Sequence, residues 1–199
     1  MDIGGSNVNA RHDGIFKSAQ EAIMFACNYS SQQYAMSAMG KILQRGAQGS
    51  GRGLVGLDGA GQAGMVFAEL ERIDYWQLAV LVTGRLSRRE RCDCKRSCCR
   101  GWKENPVFEE AVSQLADHIA RAHPVMLPVR SFRVAVIKKH FGEKDSDPMA
   151  VAQDEGMSKR TAERYVGLIR EFIRNLEKDG ITQLADRLDS IGMLVSATA

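Results

Sequence analysis

The sequence predicts an all-α protein, and three observations carry that expectation. Apolar residues recur at helical spacing over most of the chain, and no stretch alternates convincingly as a strand would. The helix starts are marked by caps: Asn105-Pro106 and Asp147-Pro148 place an N-cap residue before a proline at the first helical position. No internal repeat is visible. The expected architecture is a helical N-terminal domain with a small metal-binding loop, followed by a C-terminal helix-turn-helix domain.

Residues 1–14, "MDIGGSNVNARHDG", carry few apolar groups and read as a disordered leader. They lack the apolar run of a secretory signal. The stretch "IFKSAQEAIMFACNY" (Ile15–Tyr29) puts Ile15, Ala19, Ala22, Ile23 and Ala26 on one face of a helix. A second helix fits Gln32–Leu43. Gly46–Gly64 is the most glycine-dense part of the chain and contains Gly51-x-Gly53-x-x-Gly56 and Gly59-x-Gly61-x-x-Gly64. A dinucleotide fold needs a strand directly before such a motif, and here a helical pattern precedes it. The stretch (46–64) therefore reads as a connector or adaptable loop. Helices are expected again at Met65–Ile73 and Tyr75–Leu86, then from Pro106 to about Ala122. His123-Pro124 to Pro128 breaks the chain and divides a domain 15–123 from a domain 124–199. The remainder reads as helical to about Leu194.

Hydrophobic residues make up 44% of the 199 and charged residues 26%, which is the balance of a soluble globular chain. Apolar runs such as "LAVLV" fall far short of the roughly 20 residues that span a bilayer. A cytoplasmic location and reduced thiols are expected, so clustered cysteines point to a metal more than to disulfides.

Four of the five cysteines stand in "RCDCKRSCC" as Cys92-x-Cys94-x3-Cys98-Cys99. Four thiolates suit a tetrahedral structural Zn2+. From Arg85 to Lys103 eight basic residues stand against Glu90 and Asp93, a local excess of +6 in a chain whose net charge is +3. That excess would offset the charge of a Zn(Cys)4 centre and is expected to favour the thiolate ligands. Adjacent Cys98 and Cys99 both ligate only if the backbone turns sharply, and His118, His123 or Cys27 is an alternative fourth ligand. Redox or incidental cysteines are a second reading. Cys27, alone in an apolar helix, reads as a small buried hydrophobe.

The basic focus points to a polyanion or to a solvated loop. "SDPMAVAQDEGMSKRTAERYVGLIREFIRNL" (Ser146–Leu176) favours the first. A short helix Pro148–Glu155 ends at Gly156, and Ser158 caps a second helix bearing Lys159, Arg160, Thr161 and Arg164. "FRVAVIKKHF" (Phe132–Phe141) supplies a preceding helix. In such a motif Ser158, Lys159, Arg160, Thr161 and Arg164 face double-stranded DNA, while Lys138 and Lys139 neutralise phosphates. Glu155 stands where an apolar residue is usual. Ile169, Phe172, Ile173 and Leu176 form a stripe that suits either a core or a partner interface. The acidic residues form no paired catalytic set, and four cysteines would close a metal site, so a non-catalytic protein is expected over a zinc-dependent DNA-processing enzyme.

The order of helical leader, "GRGLVGLDGAGQAGMVFAELERIDYWQLAVL", basic cysteine cluster and helix-turn-helix resembles the Q-type late antiterminators of lambda-like phages and prophages. The resemblance runs over most of the chain from about Phe16. The cysteine spacing departs from the lambda protein, whose metal-binding pairs lie further apart, and this leaves the ligand set open. The resemblance implies a transcription antitermination factor that binds DNA near a late promoter and loads onto host RNA polymerase with its sigma factor at a promoter-proximal pause. The modified polymerase then reads through terminators. An ordinary operator-binding repressor or activator with a structural zinc is the alternative.

Overall fold

A computed structural model describes residues 14–33, 59–92, 94, 100–123 and 128–195. Among these the protein is mostly helical, with seven helices and one two-stranded hairpin. In chain order they are α1 (Ala19–Gln33), α2 (Gly59–Leu70), α3 (Tyr75–Thr83), β1 (Arg89–Arg91), β2 (Trp102–Glu104), α4 (Pro106–Ala122), α5 (Arg130–His140), α6 (Pro148–Asp154) and α7 (Lys159–Ser190).

The centre of the fold is α3. Its sequence is apolar all round, and every residue from Gln77 to Thr83 is buried. A helix without a polar face must be covered on all sides. Asp74 caps it, accepting hydrogen bonds from the Trp76 and Gln77 amides. One side of α3, through Leu78, Leu81 and Val82, joins a cluster with Ala22, Ile23 and Ala26 of α1, Val66 and Leu70 of α2, and Leu184 and Leu188 of α7. The other side, through Ala79 and Val80, joins Phe108, Leu115 and Ile119 of α4, Phe132 and Ile137 of α5, Ala152 of α6, and Ala162, Ile169 and Ile173 of α7.

Thus α7 serves both clusters, its first half in one and its second half in the other. The stripe Ile169, Phe172, Ile173 and Leu176 is core: Ile169 and Ile173 are fully buried, and Phe172 and Leu176 pack on the same cluster half-buried. Where α7 crosses α3, a Cβ on Gly180 would lie 3.0 Å from both Gln77 Cβ and Leu81 Cδ1. Buried Glu69 ties α2 to α7, accepting from Arg187 at 2.9 Å and from Arg72 at 2.8 Å. The ends of the described chain also meet: Ile15 and Phe16 amides donate to Met193 O, and the Val195 amide donates to Phe16 O.

Four expectations are corrected. The fold is not purely helical, because β1 and β2 flank the cysteine segment; strands of three residues are too short for a two-residue alternation to declare itself. The glycine-rich stretch is not a loop throughout: Gly59, Gly61 and Gly64 lie in α2, whose stability comes from burying Ala63, Val66 and Leu70 rather than from helix propensity. Ile15 precedes α1 and is exposed. The last helix stops at Ser190, and Leu194 instead forms a bridge with Phe16. The leader before Gly14, most of the expected helix Gln32–Leu43 and residues 124–127 lie outside the described residues. No helix among the described residues is long and apolar enough to cross a membrane.

Two glycines of α7 should respond oppositely. Gly167 has nothing near its missing Cβ, so Gly167→Ala is expected to stabilise by about 1 kcal/mol through helix propensity. Gly180→Val should destabilise by about 1–3 kcal/mol by forcing α7 off α3. Urea midpoints at unchanged slope would measure both.

Candidate nucleic-acid interface

A short helix, a turn and a long helix stand where the sequence places them. Asp147 caps α6, accepting from the Met149 and Ala150 amides, with Pro148 at the first helical position. The chain leaves α6 through Gly156 at φ +69°, a left-handed conformation that glycine adopts without penalty. The Met157 amide closes the turn on Ala152 O at 2.8 Å. Ala152 of α6 and Ala162 of α7 are both buried in the cluster the two helices share. Ser158 then caps α7, its Oγ accepting from the Thr161 amide at 3.2 Å. Glu155, the unusual residue of the turn, accepts from Ser131 Oγ at 2.8 Å and so pins the turn to the start of α5.

Ser158, Lys159, Arg160, Thr161 and Arg164 are all exposed on the first turns of α7. Lys159 lies 4.0 Å from Glu163, a loose pair between two well-exposed groups. Arg160 and Arg164 make no ion pair among the described residues. Lys138 and Lys139 sit elsewhere, toward the other end of α6. Lys138 is mostly covered and pairs with Glu109 of α4 at 2.7 Å. Lys139 is exposed, with its Nζ 3.4 Å from Lys144 O. The structure therefore does not gather all seven predicted residues into one patch: five surround the start of α7, and two lie near the loop that enters α6.

That loop meets the cysteine hairpin. In the antiparallel ladder Arg89 faces Glu104, Glu90 faces Lys103, and Arg91 faces Trp102. The Cys92 amide donates to Gly101 O at 2.9 Å. Arg100 at φ +49° and Gly101 at φ +82° turn the chain back into β2. The ladder thus holds the two ends of segment 92–101 side by side. Cys92 is half-buried and Cys94 exposed; Cys98 and Cys99 lie outside the described residues. Among the described residues no three metal-ligating side chains are gathered.

The alternative fourth ligands are placed as follows. His118 stacks on Trp76 at 3.9 Å between ring centroids, and His123 packs by Phe172. They stand 13 and 18 positions after Asn105, so α4 carries them about 20 Å or more from the strand's end at 1.5 Å per residue. Cys27 is half-buried in α1, and burial pushes its thiol up to about 11, partly offset by Arg85.

The basic focus is less free than its composition suggests. Arg88 is a structural bolt: its guanidinium donates to Leu86 O and Phe141 O and lies 4.9 Å over the Phe108 ring. Burial lowers its pKa, Glu143 raises it and Arg85 lowers it further. Asn105 caps α4 by accepting from the Val107 amide, its side-chain amide donates to Ser87 O, and its backbone amide donates to Arg88 O. Arg89 pairs with Asp145 at 2.7 Å and Lys103 with Glu90 at 2.8 Å. Arg91 lies 5.6 Å over exposed Trp102. Sequence reasoning missed Arg88, Trp102 and Lys144; the adjacency Arg100-Gly101-Trp102 is the one signal that could have drawn attention to the indole.

Comparison of the chain with protein-family models, curated proteins and solved structures gives no match.

His118 supplies a pH dependence. Burial against Trp76 lowers its pKa, Arg121 lowers it further, and Asp74 partly opposes them. The unfolded chain then binds the proton more readily. Stability contributed by neutral His118 is full above about pH 6.5 and is lost as pH falls through the depressed folded value. His118→Phe should flatten the fall in stability as the pH drops below about 6.5, measured by urea titrations at a series of pH values.

Proposed function

We propose that this protein is a DNA-binding transcription regulator of the Q-like antitermination type, acting without catalysis in a bacterial host cytosol. The observation that carries the reading is the start of α7: a glycine turn and a serine cap present Lys159, Arg160, Thr161 and Arg164 to solvent on a helix whose later turns are locked into the core. Such a helix is rigid from the core outward and open at its N-terminal end, the geometry that enters a major groove. Arg160 and Arg164 suit guanine O6 and N7, each good bidentate pair contributing about 1–3 kcal/mol of discrimination. Lys139 is the better phosphate contact of the lysine pair, because Glu109 already holds Lys138.

The hairpin supports the metal part of the reading, since it brings Cys92 back beside the returning strand. A structural Zn2+ held by Cys92, Cys94, Cys98 and Cys99 would brace the loop between β1 and β2. Metal analysis should find one zinc per chain, and Cys94→Ser should lose it.

The antitermination part rests on the resemblance of the Arg52–Leu81 segment and the cysteine cluster to the Q family. Its partners would be a late-promoter element and host RNA polymerase paused with its sigma factor. In a purified transcription reaction the protein should raise read-through of a terminator downstream of such a promoter. A change in promoter occupancy alone would instead indicate an operator-binding repressor or activator.

Selection from random duplex DNA should yield a preferred site. Arg160→Ala and Arg164→Ala should each relax base preference at one or two positions, whereas Lys139→Ala should weaken all sequences alike and reduce the salt slope by about one. Equal loss on every sequence for all three would exclude this docking.

A further inference from the structure

The hairpin carries a surface that the recognition helix does not use. Ladder partners share a face, so Arg89, Arg91, Trp102 and Glu104 lie on one side of the sheet and Glu90 and Lys103 on the other. Trp102 is 50% exposed, the most exposed aromatic ring among the described residues, and the Arg91 guanidinium lies 5.6 Å from its centroid. Beside it runs an open groove of about 520 Å³, bounded by Arg89, Trp102, Gly142, Glu143, Lys144 and Asp145. Asp145 is neutralised by Arg89 at 2.7 Å, and Glu143 lies in the field of Arg88. Arg91, Arg100 and Lys144 remain as exposed cations with no ion pair among the described residues.

A half-exposed tryptophan leaves apolar surface in water at a cost in free energy. An indole with a guanidinium alongside, Lys144 across an open groove and Arg100 two positions before it in the chain matches an unpaired nucleotide: the ring stacks on a base and the cations follow the phosphates. Duplex DNA suits it poorly, because its bases present edges and not faces. The hairpin is also tied to the entry of α6 by Arg89–Asp145, which sets it beside the helix-turn-helix and away from the start of α7.

We propose that the face of the cysteine hairpin around Trp102 binds single-stranded DNA, with Trp102 as the stacking platform and Arg91, Arg100 and Lys144 as phosphate contacts. This rests on the DNA-binding reading and adds to it a second contact, for melted rather than paired strand.

The test uses the full chain and an eight-nucleotide oligo(dT). Trp76→Phe leaves Trp102 as the only indole, since the chain has two tryptophans. Titration with oligo(dT) should quench its emission, while a blunt duplex of random sequence should not. In labelled-oligonucleotide anisotropy on the wild-type background, Trp102→Ala should weaken oligo(dT) binding about 5- to 150-fold, and Trp102→Phe should restore much of it. Trp102→Ala should leave the duplex preference set by Arg160 and Arg164 intact. Unchanged oligo(dT) affinity in Trp102→Ala, or equal quenching by duplex, would overturn the proposal even where duplex selection succeeds. Failure of duplex selection with oligo(dT) binding retained would overturn the recognition-helix reading alone.

Discussion

Gly180 lets the backbone of α7 lie against Gln77 and Leu81 of α3, and this crossing joins the two halves of the molecule. On one side of it, Ile169 and Ile173 are locked among α4 and α5; on the other, Leu184 and Leu188 are locked among α1 and α2. Each such side chain contributes about 1.5–3 kcal/mol on burial, so neither half of α7 can shift without loss in both clusters. The crossing exacts one penalty: Gln77 Oε1 is buried with no hydrogen-bond partner among the described residues. Burying an unpaired carbonyl oxygen costs about 1–3 kcal/mol. Close helix contact outweighs it.

The candidate interface depends on that rigidity. The first turns of α7 project from a helix held along most of its length, so Lys159 to Arg164 keep a defined direction although their side chains are solvated. The hairpin is fixed differently, by polar contacts to carbonyls and charges. Arg88 grips Phe141 O, Asn105 holds Ser87 O, and Arg89 reaches Asp145. Arg133 does similar work between α4 and α5, donating to Ala116 O and Pro128 O. Arginine suits this role because its planar head presents several donors at once and carries an apolar stem through the packing.

Much of this was legible in the residues. Asn105-Pro106, Asp147-Pro148, Gly156 and Ser158 have local meanings that tertiary packing did not overrule, and each cap forms as read. Helical spacing located α3 to α7 to within a few residues. The misses share a cause. Gly59 to Gly64 enter a helix because a neighbouring core covers Ala63 and Val66, which no local propensity reveals. The strands are too short to show a period. A run of arginines does not say which one will be swallowed; Arg88 is separated from Phe141 by 53 positions in the chain. Lys138 and Lys139 look equivalent in sequence, but Glu109 of a preceding helix claims one and leaves the other to solvent.

The pairing of Ile15 and Phe16 with Met193 to Val195 has a consequence for synthesis. Phe16, Ile23, Val66 and Leu70 emerge from the ribosome long before Leu184, Leu188 and Met193, which complete their surroundings. Until α7 has been translated through its second half, the first cluster lacks a wall and its apolar residues stay open to water. The first cluster is therefore the later of the two to be completed as the chain is made, since the second needs only the first half of α7.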